Sequence, residues 1–165
     1  MNKPLDSGAI KSGLFNYAVR TWHPLLIIDE VSVNRGFADI FVLKQNMQSI
    51  EIEIKVSLSD LTCNELKKHK YNMEFWKRNP RYEHITNYFY FTVPNNLKDK
   101  SLAFINDNIP FAGLITCINI NSLRVVKRAK KLHDRNMTTE KFMEYQSIQA
   151  RKYAWIKSTQ MGLKL

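Results

Sequence analysis

The 165-residue sequence is poor in the residues that interrupt structure, with five glycines and five prolines, too few for a long flexible linker or a low-complexity tract. It has two cysteines, Cys63 and Cys117, far apart and outside any Cys-x-x-Cys pair, so a zinc ribbon and a disulfide framework are excluded and reduced thiols are expected. No apolar run approaches the roughly 20 residues of a membrane helix. The first six residues carry no hydrophobic stretch behind Lys3. Neither a membrane span nor a signal peptide is expected, and the expected location is cytoplasmic. A Gly-rich phosphate loop, a Gly-x-Ser-x-Gly elbow and a His-Glu-x-x-His pair are all missing, which removes ATP-driven, serine-hydrolase and zinc-protease chemistry. Acidic side chains are also scarce: 15 Asp and Glu face 25 Lys and Arg, for a net charge of +10. Such an excess favours an anionic partner, nucleic acid being the commonest. No segment reads as a basic amphipathic membrane binder.

What is present is ordinary for a globular chain, with 44% hydrophobic and 24% charged residues, and its length suits one domain covering residues 1–165. Asp6-Ser7 can cap a helix reaching about residue 20, with Ile10, Leu14, Tyr17 and Ala18 at helical spacing. Strand-like runs follow at 25–33, 37–43 and 49–56, separated by turns short enough to imply an antiparallel meander. Ser57 to Asp60 offer caps for a Lys-rich helix to about residue 77. An aromatic strand at 88–93 stops at Pro94, shorter strands are expected at 114–118 and 122–126, and a last helix spans about 138–158. On that helix Phe142, Tyr145, Ile148, Lys152 and Trp155 share one side, a spacing that reads first as core packing. The fold class expected is α/β (α+β), with a central mixed β-sheet flanked by helices and the last helix packed on it.

Chemistry concentrates on the third strand. In Ile50-Glu51-Ile52-Glu53-Ile54-Lys55-Val56 the aliphatic residues fall on one face and Glu51, Glu53 and Lys55 on the other. Asp39 lies one strand earlier, and a hairpin would bring it near Glu53. Two such carboxylates can hold Mg2+ or Mn2+, which take hard oxygen ligands. A lysine on the same face can align or deprotonate a water, or neutralise charge on a phosphate. On the string Asp…Glu-x-Lys alone, a solvated strand face with weak cross-strand ion pairs is the better account. Its position on consecutive strands joined by a tight turn, directly before a basic helix, favours the metal site.

Gly36-Phe37-Ala38-Asp39 followed by Glu53-Ile54-Lys55-Val56-Ser57 resembles the core signature of the PD-(D/E)XK nuclease superfamily. The succession Glu53, Lys55, Ser57, Asp60, Lys70 in a Lys-rich helix, the aromatic strand 88–94 ending Val-Pro, then Ala112-Gly113-Leu114-Ile115 is most similar to the MmcB-like DNA-repair endonucleases, over about residues 30–131. The resemblance implies a restriction-endonuclease-like core and a hydrolase that cuts DNA phosphodiester bonds with Mg2+ (or Mn2+), in repair, recombination or mobile-element and phage processes. It implies Asp39 and Glu53 as metal ligands assisted by the Ile54 carbonyl, and Lys55 as catalytic base or electrostatic stabiliser. The superfamily's proline is Ala38 here, and the first helix lacks the glutamate many relatives carry. Glu30, nine residues before Asp39, is the substitute, a strand-end surface charge being the competing account. Asp60 is read first as a helix cap, with a site role left open by the resemblance. Two-fold symmetric nucleases often dimerise, so a homodimer is compatible with this reading. The alternative is a non-catalytic nucleic-acid-binding module that retains the fold.

Lys67, Lys70, Lys77 and Arg78 follow the catalytic strand, and Arg128 and Lys131 belong to a second basic run; these six are the candidates for gripping DNA phosphates. The last helix adds Arg151, Lys152 and Lys157 beside Tyr153 and Trp155, aromatics that could stack on unpaired bases if exposed.

Overall fold

The computed structural model describes residues 5–33, 36–64 and 86–161. Asp6 caps helix α1 (Ser7–Trp22): its carboxylate accepts from the Ala9 N–H at 2.8 Å, satisfying one of the donors a helix leaves open at its start. The helix stops at His23, whose φ of 44° is left-handed, just before Pro24. Six strands then form one sheet in chain order: β1 (Leu26–Val33), β2 (Gly36–Leu43), β3 (Ser49–Ile54), β4 (Tyr88–Pro94), β5 (Gly113–Asn119) and β6 (Ser122–Lys127). The first three make the expected antiparallel meander, with Met47 in the left-handed region at the β2–β3 turn. β4 and β5 run parallel to β3, and β6 returns antiparallel to β5.

Parallel neighbours need crossover connections. Between β4 and β5 the crossover is helix α2 (Lys98–Asn108), which the sequence does not announce: no side chain caps it at Leu97, so the usual start signal is missing. Between β3 and β4 the described residues include a π-type turn, Asp60–Asn64. The expected Lys-rich helix beyond it lies outside the described residues. Helix α3 (Thr139–Gln160) begins where Thr138 Oγ1 accepts from the Lys141 N–H. The result is the mixed α+β architecture the element order predicts.

α1 lays Ile10, Leu14 and Ala18 on one sheet face, against Ile40, Ile52 and Ile54. The opposite face carries two clusters. Phe41, Leu43 and Ile28 pack with Tyr145 of α3, while Phe91, Val93 and Leu114 pack with Ile105 of α2. β3 runs along the seam between them: Glu51 pairs with Phe41 on one side and Phe89 on the other, and Glu53 with Phe91. Every residue of β3 is therefore buried, and so is Lys55. The solvated strand face that could have explained these charges is overturned, because helices cover both sides of the sheet where an isolated hairpin would leave one side wet.

β1 is an edge strand, and α3 covers it. Ile27 O accepts from Gln149 Nε2 at 2.8 Å, Ser32 O from the Tyr145 hydroxyl at 3.3 Å, and Asp29 O and Glu30 O from the Lys152 ammonium. Side chains thus fill acceptors that would otherwise invite another strand. Burial pushes the Tyr145 phenol up to about 12, with Glu144 and Glu51 adding to the effect. The folded protein therefore keeps this proton above pH ~10, where an unfolded tyrosine releases it. Stability from this group is complete below that pH and is lost as pH climbs from about 10 towards 12, by on the order of 2 kcal/mol. Tyr145→Phe is expected to flatten that stretch of a urea-stability profile; an unchanged slope would count against it.

Candidate metal and nucleic-acid site

The β2–β3 ladder ends at the Ile40–Ile52 pair. One step further, where Asp39 would face Glu53, the Asp39 side chain takes over: its Oδ2 accepts from the Ile54 N–H at 2.6 Å. A carboxylate is a stronger acceptor than the carbonyl it replaces. Next to it the Lys55 N–H donates to Thr92 O of β4 at 2.9 Å. The backbone at 54–55 is thus held from both neighbouring strands, which fixes the direction of the Lys55 side chain. Lys55 Nζ lies 3.6 Å from Glu53 Oε2 and 3.8 Å from Asp60 Oδ2. Glu53 and Lys55 are 3% and 5% exposed, whereas the Asp60 side chain is 39% exposed, so the cluster reaches solvent on the Asp60 side. The cap at this turn is Ser57, whose Oγ accepts from the Asp60 N–H at 3.2 Å. Asp60 pairs with Lys55 where a capping role was expected.

Glu30 enters the same neighbourhood through β1. The register that pairs Asp29 with Ile40 and Val31 with Ala38 sets Glu30 opposite Asp39, at the step where the β1–β2 ladder is interrupted. Glu30 has φ 44°, a left-handed conformation that non-glycine residues rarely adopt. The kink shifts the strand's alternation by one: Leu26 and Ile28 before it and Val31 and Val33 after it all enter the same cluster. β2 shifts in step, with Ala38 joining Phe41 and Leu43. The Glu30 side chain is 68% exposed and ion-paired to Lys11 of α1 at 2.6 Å. That hydrogen bond holds its carboxyl below the usual range. From the other face Lys152 Nζ reaches Glu30 O at 3.1 Å and Asp29 Oδ1 at 3.5 Å.

Three lysines from three elements, Lys11, Lys55 and Lys152, therefore surround the acids of this sheet end. Sequence reading places Lys55 at the catalytic site and names Lys152 only among the basic residues of the last helix. The signal for Lys152 was its place in the inward stripe of α3, where a hydrophobic residue is the default; for Lys11 there was none. Among the described residues no group of three or more His, Cys, Asp or Glu stands together as a metal cage. What the fold sets at neighbouring positions of adjacent strands is Asp39 and Glu53, with Asp60 on the other side of the Lys55 ammonium from Glu53.

The other phosphate-gripping candidates divide. Lys67, Lys70, Lys77 and Arg78 lie outside the described residues. Arg128 is exposed, and Lys131 is bonded to Asp134, which raises its ammonium above the usual range. Both belong to a strap that runs from the end of β6 towards the sheet's other end: Lys130 N bonds Phe111 O, and Leu132 N bonds Asn87 O. Asn87 in turn accepts from the Ser49 N–H, where β3 begins. Lys127, just before Arg128, pairs with Leu114, which the ladders join through Phe91 to Glu53, so the start of the strap stands level with Glu53 but about three strand spacings, ~14 Å, across the sheet. On α3 the stripe expected to pack does so as far as Tyr145 and Ile148. Trp155, expected in the core, is 63% exposed, as is Tyr153.

No protein-family model matches the sequence, and no curated protein does. Among solved structures the chain is similar to a protein of unknown function from Silicibacter pomeroyi, at a TM-score of 0.63 and 15% identity, over 96% of this chain and 94% of that one. At that identity the likeness establishes the fold, a six-stranded mixed sheet flanked by helices. Among the described residues no helix is long and apolar enough to cross a membrane.

Proposed function

We propose that the protein is a metal-dependent deoxyribonuclease that hydrolyses DNA phosphodiester bonds in the cytoplasm, in repair, recombination or mobile-element processes. The observation that supports this reading is the bond from the Ile54 N–H to Asp39, which ties a second carboxylate to the backbone between Glu53 and Lys55. Both carboxylates and the Ile54 carbonyl are hard oxygen donors. Mg2+ takes one or two protein carboxylates and completes its shell with waters and substrate phosphate, so this donor set suits Mg2+ or Mn2+ without a third acid. When bound, the cation would activate a water and neutralise phosphate charge.

The chain's own groups do the rest. Asp39 and Glu53 would hold the cation, and Lys55 would bring positive charge to the same spot, orienting the water or stabilising the charge that builds on the phosphate. Glu53 and Asp60 keep the Lys55 ammonium between them. The net charge of +10 draws the polyanion in. The test is cleavage of plasmid, single-stranded and branched DNA with Mg2+ or Mn2+. Asp39→Ala, Glu53→Ala and Lys55→Ala should each lower the rate about a hundredfold or more. Activity that survives all three substitutions overturns the proposal. Salt-sensitive DNA binding with neither cleavage nor a saturable Mn2+ site would identify a binding module instead.

A further inference from the structure

The C-terminal half of α3 carries large exposed side chains: Tyr153 and Trp155 at 63%, Ile156 at 46% and, just beyond it, Met161 at 70%. Rings of this size are normally buried on at least one face, and their exposure marks a contact surface. Their arrangement decides what kind. Successive residues turn by about 100°, so Tyr153 and Trp155 point to nearly opposite sides of the helix. That is neither the single stripe of a helix–helix seam nor the single apolar face of a helix lying in a bilayer.

Each ring instead has its own cation one turn away. Lys157 Nζ sits 5.6 Å from the Tyr153 ring centre, and Arg151 precedes Trp155 by four residues, the spacing at which helix side chains are neighbours. An exposed ring with a cation beside it suits a base and its phosphate. Duplex DNA offers its phosphates but keeps its base faces stacked, so the rings would gain nothing from it. The surface also adjoins the acids. Lys152, bonded to Glu30 O opposite Asp39, lies three residues before Trp155, about 4.5 Å along the helix axis.

We infer that the Arg151–Trp155 and Tyr153–Lys157 pairs of α3 form a stacking surface for single-stranded DNA, holding unpaired bases beside the candidate nuclease site. The inference rests on the proposed function for the position of the scissile phosphate and deepens it by naming an unpaired substrate. It predicts that Trp155→Ala and Tyr153→Ala each weaken binding of a single-stranded oligonucleotide about tenfold, measured by fluorescence anisotropy in EDTA, and change duplex binding less than twofold. Both rings are exposed, so neither substitution disturbs the core.

Unchanged single-strand affinity in the double variant overturns the inference, and does so even if the wild type cuts DNA. Loss of single-strand binding in a protein that never cuts sustains it while the nuclease reading fails. A double variant that keeps oligonucleotide affinity but loses self-association by light scattering, or loses sedimentation with anionic vesicles, assigns the surface to a second copy or a bilayer and likewise overturns it.

Discussion

Exchanging Lys55 for methionine is expected to cost about 3 kcal/mol of folding stability as well as cleavage. The reason is burial. Exposed ion pairs contribute little because water screens them and the side chains stay mobile. Lys55 and Glu53, with their charged ends 3.6 Å apart, have side chains only 7% and 5% exposed. Methionine fills much the same space as the lysine stem but takes away that cation, leaving the Glu53 carboxylate to bear the desolvation with one positive neighbour fewer. Pairing it with Glu53→Gln should recover part of the loss, with a coupling on the order of 1–3 kcal/mol in a double-mutant cycle read by urea denaturation. A loss below about 0.5 kcal/mol for Lys55→Met would mean that the pair behaves like a surface pair. The site geometry would then have to be redrawn.

Gly113→Ala should destabilise by about 3 kcal/mol, although it adds a single methyl group. Gly113 pairs with Tyr90 across β4 and β5, and the tyrosine ring lies directly over it. A Cβ at this position would stand 2.3 Å from Tyr90 Cε1 and 2.7 Å from the Ala129 backbone nitrogen. Neither contact is possible without movement. The ring can turn away, but Ala129 belongs to the strap, and the next residue's N–H is bonded to Phe111 O, so backbone has to give. A thermal midpoint lower by roughly 6–12 °C is the expected reading for a chain of this size. Adding Tyr90→Ala should relieve only part of the strain. A Gly113→Ala midpoint within 2 °C of the wild type would show that the strap yields freely.

Much of the molecule follows from local pattern. The meander was legible because Asn34-Arg35-Gly36 and the Lys44–Met47 turn leave too few residues for any connection but a hairpin, and the isoleucines of β3 alternate strictly. The opposite placement of Glu53 and Asp39 followed from that hairpin. Three features were not legible, each for a physical reason. α2 starts without a capping side chain. The burial of Glu51, Glu53 and Lys55 is a tertiary outcome, set by parts of the chain distant from β3 and not by the strand's own alternation. The exposure of Trp155 is a tertiary outcome, and helical spacing carries no information about the length of the surface a helix packs on. Glu30 shows the limit most sharply: its place opposite Asp39 follows from β1–β2 register, but its left-handed backbone and its link to Lys11 do not.

The cover over β1 has a consequence for biogenesis. Gln149 and Lys152 lie 122 and 123 residues beyond the Ile27 and Asp29 carbonyls they occupy. A ribosome adding about 5–20 residues per second therefore exposes the first strand's bare margin for several seconds before its cover can emerge. Throughout that interval the meander can recruit a strand from a neighbouring nascent chain. Truncating the gene upstream of α3 should leave that vulnerability permanent, and the shortened product should accumulate as insoluble aggregates.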